Sequence, residues 1–237
     1  HGPRLPHPRF EGASEHGVRG DAIVQMDWTT GELLETLEER GLRENTLVLF
    51  TSDNGPVLDD GYADEAVERI GHHHPSGPFR GGKYSIYEAG TRVPFAVIWP
   101  GVVEPGVSGA LISQVDLLAS MAELTGTSLE ASAGPDSEEL LDALLGRSDE
   151  GRARLVEESV GTLALREGPW KYIRPSEPRT WISESKGIEG GHRPEPQLYD
   201  LRVDPGEQTN LAERHPERLE AMRETLGEIV GVDSPPE

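Results

Sequence analysis

The chain has 237 residues, enough for one large domain or one domain with a small appendage. Its 43 acidic residues against 22 basic ones leave a formal charge of −21, a balance that repels nucleic-acid phosphate and sets DNA and RNA aside as partners. The absence of cysteine excludes disulfides, thiolate metal sites and a cysteine nucleophile within these residues, and no apolar run is long enough to cross a bilayer.

The opening stretch, 1–20, is rich in Pro, Gly and Arg and reads as a loop; a start at His1-Gly2-Pro3 rather than Met suggests truncation or processing. Residues 21–40 read as a helix, with Ile23, Met26, Leu33, Leu34 and Leu37 near helical spacing and Gly41 as the stop. Residues 46–51 form a short apolar run of the buried-strand type, ending in the turn cluster Ser52-Asp53-Asn54-Gly55-Pro56. A polar loop follows to about Arg80, then a second buried strand at 95–99. A helix at 114–124 carries Val115, Leu118, Met121 and Ala122 on one face. This order predicts an α/β sheet covered on both faces.

After Gly126 the composition changes. Residues 128–151 are small and acidic, with a short helix expected at 137–145. Strands are expected at 155–157, 162–166 and 170–173, the last two joined by a Gly168-Pro169 hairpin turn. Residues 181–192 read as a long loop, 197–201 as a further strand, and 216–230 as an amphipathic helix. The predicted organisation is an α/β portion at 1–126, a connecting segment at 127–154 and a small antiparallel α+β subdomain at 155–237.

Two short segments carry candidate chemistry. Asp53-Asn54 closes a buried strand, and ligands gather at the carboxyl ends of strands in open α/β sheets. A carboxylate beside a carboxamide offers hard oxygen ligands for Ca²⁺ or Mg²⁺, although the pair taken alone fits an Asx turn closing the strand better. In 77–83, glycines let the backbone approach a ligand and Lys83 offers a compact cation for an oxyanion; alone, this too fits a flexible loop.

Taken in order, these pieces resemble the sulfatase family, closest to its bacterial carbohydrate-acting members. The resemblance rests on 46–56, on 77–83, on Tyr87-Glu88-Ala89-Gly90-Thr91-Arg92-Val93-Pro94 and on Trp99-Pro100-Gly101. It continues through Gln114-Val115-Asp116, Leu165-Arg166-Glu167-Gly168-Pro169-Trp170-Lys171-Tyr172 and Leu198-Tyr199-Asp200-Leu201. It implies an alkaline-phosphatase-like α/β fold, with helices on both faces of the sheet, and hydrolysis of sulfate esters with a divalent cation, usually Ca²⁺. By the same resemblance Asp53 and Asn54 are metal ligands and Lys83 holds the sulfate and neutralises the leaving oxygen. His1 contacts the sulfate ester and protonates the leaving group.

The family's nucleophile, a formylglycine made from Cys or Ser, lies in a segment upstream of the matched region and is not expected in this chain. Ser76-Gly77-Pro78-Phe79-Arg80 fits that motif loosely and is set aside, because Phe79 breaks it and it follows the metal turn. Asp59, Asp60 and Tyr62, with His73 and His74, sit between the two site motifs and are candidates for binding sugar hydroxyls. The implied substrate is a sulfated carbohydrate or aryl sulfate, and the implied setting is periplasmic or secreted. Two alternatives stay open: a phosphomonoester or phosphonate hydrolase of the same superfamily, and a non-catalytic carbohydrate-binding remnant.

Overall fold

A computed structural model of the chain describes residues 4–130 and 132–231. Helix α1 (Gly17–Glu39) forms where periodicity predicts it and ends before Gly41, whose φ is 64°. Its apolar spacing does not mark a buried stripe, however: Ile23, Met26 and Leu33 are exposed, while Gly20 and Asp21 are buried. Asp21 explains the difference. Its carboxylate accepts the backbone N–H groups of Gly12 at 2.9 Å and Ser14 at 2.8 Å, which folds the preceding loop onto a polar side of the helix.

Strands β1 (Val48–Thr51) and β2 (Phe95–Ile98) pair antiparallel, from Val48 opposite Ile98 to Thr51 opposite Phe95. Full burial was expected of both, but each is half-buried or exposed along its length. As a two-stranded sheet among the described residues, the pair leaves an outer edge on each strand. Between them, helix α2 (Glu88–Thr91) gives a turn whose first three residues are buried, inside a segment whose sequence carries no helical period. Helix α3 (Leu117–Thr125) follows a capping box in which Ser113 and Asp116 satisfy each other's backbone N–H groups. It buries Ser120 and Ala122 and leaves the expected face residues Val115 and Leu118 exposed. Asp116 is fully buried and paired with Arg152, so polar contacts hold this region where an apolar face was expected.

Helix α4 (Leu141–Leu144) is shorter than predicted. Strands β3 (Arg154–Ser159), β4 (Thr162–Glu167), β5 (Trp170–Ile173) and β6 (Gln197–Asp200) form a four-stranded antiparallel sheet in sequence order. Helix α5 (Thr180–Lys186) occupies part of the predicted loop, and α6 (Pro216–Val230) matches its prediction.

Both faces of this sheet are covered, because neighbouring residues on a strand point to opposite sides. Leu165, Tyr172 and Leu198 pack with Met222 and Leu226 of α6. Their neighbours Ala164, Ile173 and Tyr199 pack instead with Ile86 and Tyr87. Tyr87 lies four residues after Lys83, so the sheet buttresses the lysine loop directly.

Candidate active site

The Asp53-Asn54 turn and the Lys83 loop, 29 positions apart in sequence, are held side by side by backbone bonds that only glycine permits. Gly55 N–H donates to Gly90 at 2.9 Å, and Lys83 N–H donates to Pro56 at 2.9 Å. A Cβ on Gly55 would lie 1.7 Å from the Ala89 carbonyl oxygen, and one on Gly82 would lie 2.5 Å from that of Pro56. Asp53, Asn54 and Lys83 then line one cleft of about 720 Å³, whose far wall is β3 and the segment 108–114.

Within the turn, the Asp53 carboxylate accepts the Asn54 N–H at 2.9 Å. Asn54 Nδ2 donates to the Gly55 carbonyl at 2.9 Å, which leaves its Oδ1 as the atom suited to a cation. One carboxylate and one amide oxygen suit a hard divalent ion but make only part of a cage. Among the described residues no group of three or more His, Cys, Asp or Glu gathers to complete it.

The remaining candidates separate. Asp60 reaches the lysine: its carboxylate lies 3.7 Å from Lys83 Nζ, 3.9 Å from Lys186 Nζ and 3.5 Å from the Tyr84 hydroxyl. Asp59 and Tyr62 line a second hollow of about 300 Å³, with Asp64 and Glu65. His73 stacks near His16 at 5.8 Å, at the start of α1, and neither His73 nor His74 lines the cleft. The His73 imidazole is held below its ordinary pKa by burial and by Arg19, His16 and His74. His1 lies outside the described residues.

Sequence reasoning missed a buried charge cluster behind the cleft. Lys171 has no exposure and its Nζ meets Glu157 at 2.9 Å, Glu88 at 3.0 Å and Glu207 at 3.6 Å. Glu88 also takes Arg166 at 3.0 Å and Arg92 at 3.3 Å. Glu88, Glu157, Arg92 and Arg166 all line the cleft, so this cluster joins the lysine loop to the C-terminal sheet. One signal was available: lysine is scarce here, with three against nineteen arginines.

A family model described as sulfatase matches residues 3–127. The chain belongs to the sulfatase family. It is 50% identical over 230 residues to the N-acetylgalactosamine-6-O-sulfatase of Bacteroides thetaiotaomicron, covering 97% of this chain and 45% of that protein. Human arylsulfatase A is 34% identical over 244 residues, covering 94% of this chain and 45% of the relative. A solved structure from Bacteroides thetaiotaomicron, described under the metabolism of multiple glycosaminoglycans, superposes with a TM-score of 0.94 at 50% identity. It covers 97% of this chain and 48% of the other. The chain thus has the alkaline-phosphatase-like fold of these sulfatases and spans a little under half the length of the relatives it matches. None of its helices among the described residues is long and apolar enough to cross a membrane.

Proposed function

We propose that the protein carrying this chain is a formylglycine-dependent sulfuric ester hydrolase acting on a sulfated carbohydrate, and that this chain supplies the leaving-group side and part of the metal cage. The observation that carries the reading is the convergence of Asp53, Asn54 and Lys83 on one cleft. Membership in the family and the likeness to an N-acetylgalactosamine-6-O-sulfatase support a sulfated amino sugar or glycosaminoglycan fragment as substrate class.

Asp53 and Asn54 Oδ1 would hold a divalent cation, Ca²⁺ in preference to Mg²⁺ because both donors are hard oxygens in a turn that imposes no octahedral cage. When bound, that ion supplies charge neutralisation at the sulfate oxygens. Lys83 does the chain's own work. Its side chain lines the cleft, where it binds a sulfate oxygen and stabilises negative charge growing on the departing alkoxide. Asp60 faces that ammonium and orients it; it acts through Lys83. His1 is the candidate proton donor to the leaving oxygen. The nucleophile belongs to the part of the protein outside this chain. Asp59 and Tyr62 remain candidates for sugar hydroxyls from the neighbouring hollow, and His73 and His74 from the rim near α1. A periplasmic or secreted site of action goes with the same reading, supported by the family likeness alone.

The test is sulfate release from 6-sulfated N-acetylgalactosamine by the full-length protein. Lys83→Ala is expected to lower kcat by about 10²–10³-fold, the usual worth of one charge-stabilising donor. Asp53→Ala is expected to abolish dependence on added Ca²⁺ together with turnover. A Lys83→Ala protein with wild-type kcat would overturn the assignment.

A further inference from the structure

The chain uses lysine sparingly, and all three lysines are withdrawn from water. Side-chain exposure is 0% for Lys171, 15% for Lys83 and 17% for Lys186. Positive surface charge is left to arginine. Lys171 pairs with three buried acidic side chains, and Lys83 faces the cleft. Lys186 does neither, yet burial strips an ammonium of water and needs a reason.

Its setting supplies one. Lys186 is the last residue of α5, a helix anchored by Ile182, which has no exposure. Its Nζ lies 3.9 Å from Asp60, and Lys83 lies 3.7 Å from the other oxygen of the same carboxylate. Asp60 is thus shared between two ammonium groups. At 3.9 Å the Lys186 contact is an ion pair and not a hydrogen bond, so its N–H groups can still serve a further acceptor. At the other end of α5, Trp181 is 41% exposed and packs edge-on with Tyr84, ring centroids 5.4 Å apart. Tyr84 follows Lys83, its ring lies 5.2 Å from that ammonium, and its φ of 72° is a strained value for a non-glycine residue.

We propose that Trp181 and Lys186 form a subsite for the sugar next to the scissile sulfate: the indole packs on the pyranose ring, and the ammonium binds an anionic substituent, a carboxylate or second sulfate. This rests on the sulfatase reading and narrows its substrate to a doubly anionic oligosaccharide. An exposed indole at one end of α5 and a desolvated cation at the other, tied to Lys83 through Tyr84 and Asp60, offer the packing surface and the charge such a sugar requires.

The test uses the full-length protein and three sulfated disaccharides that differ at one position of the neighbouring sugar: a uronate, the same group reduced to an alcohol, and a second sulfate. The wild type is expected to favour both charged substrates over the reduced one through a lower KM. Lys186→Met is expected to lower the charged-to-reduced ratio of kcat/KM about tenfold, the worth of one partly desolvated charge contact. Lys186→Arg, which keeps the charge, should retain the preference, and Trp181→Ala should raise KM for all three. Preference for only one charged substrate identifies which anion the subsite takes. Equal wild-type kcat/KM on all three, or an unchanged ratio in Lys186→Met, overturns the subsite alone. A wild type that hydrolyses none of them overturns the sulfatase reading.

Discussion

Lys171 is an ammonium with no route to solvent, ringed by Glu157, Glu88 and Glu207. Removing it takes the one ammonium from Glu157 and Glu207 and leaves Glu88 to Arg166 and Arg92, so Lys171→Met is expected to cost about 3–5 kcal/mol in a denaturant titration of the full-length protein. The carboxylates respond unequally. Burial raises Glu88, but attraction to Lys171 and Arg166 more than offsets this, so its carboxyl sits below the ordinary range. Burial dominates at Glu207, pushed up from 4.5 to about 7 despite Lys171. Between those two values the folded chain holds a proton that the unfolded chain has released, so Glu207 makes stability fall as pH rises through that window. Glu207→Gln is expected to flatten that decline when unfolding midpoints are measured from pH 5 to 8; an unaltered slope would assign it elsewhere. None of this was legible residue by residue. Trp170-Lys171-Tyr172 reads as a hairpin strand, and nothing local says that the middle side chain meets carboxylates from three other segments.

At the scale of elements, what depends on a local pattern was legible and what depends on a single distant contact was not. Helix α6 and strands β4 and β5 follow from periodicity and a Gly-Pro turn. Helix α5 was missed because Thr180 to Lys186 has one buried anchor, Ile182, and no repeating apolar face. Helix α1 was found, but its buried side was not, since Asp21 and its loop contacts outcompete Ile23 and Met26. In the candidate site, Asp53, Asn54 and Lys83 were each visible as motif residues. What brings them together, the passage of Gly55 against Ala89 and Gly82 against Pro56, needed coordinates. Gly55→Ala therefore forces backbone apart and is expected to cost about 2 kcal/mol or more in thermal unfolding, with loss of turnover. Gly106→Ala is the control, since a Cβ there meets nothing closer than a carbonyl oxygen at 4.0 Å.

At the scale of the whole molecule, the chain joins two partners along one seam. The C-terminal sheet presents one face to α6 and the other to Ile86 and Tyr87, and Tyr87 and Tyr199 share the buried Gln197 carbonyl at 2.8 and 2.9 Å. The site motifs thus sit on the α/β side while part of their support comes from the sheet. The proposed reading, in which the chain supplies part of the metal site and not the nucleophile, gives a further expectation: residues 1–237 alone should release no sulfate from an aryl sulfate, a result checked by a chromogenic assay on the purified chain. Turnover by it would mean that the attacking group lies within these residues.

The withdrawn lysines have a practical consequence. A chain whose few side-chain amines are all screened gives acylating reagents little to react with, so modification should be slow and confined. The accessible remainder, Lys83 and Lys186, flanks Asp60. Amine acylation read by peptide mass mapping would then act as a footprint of this one corner of the surface, and a ligand seated there would show itself by shielding both positions at once.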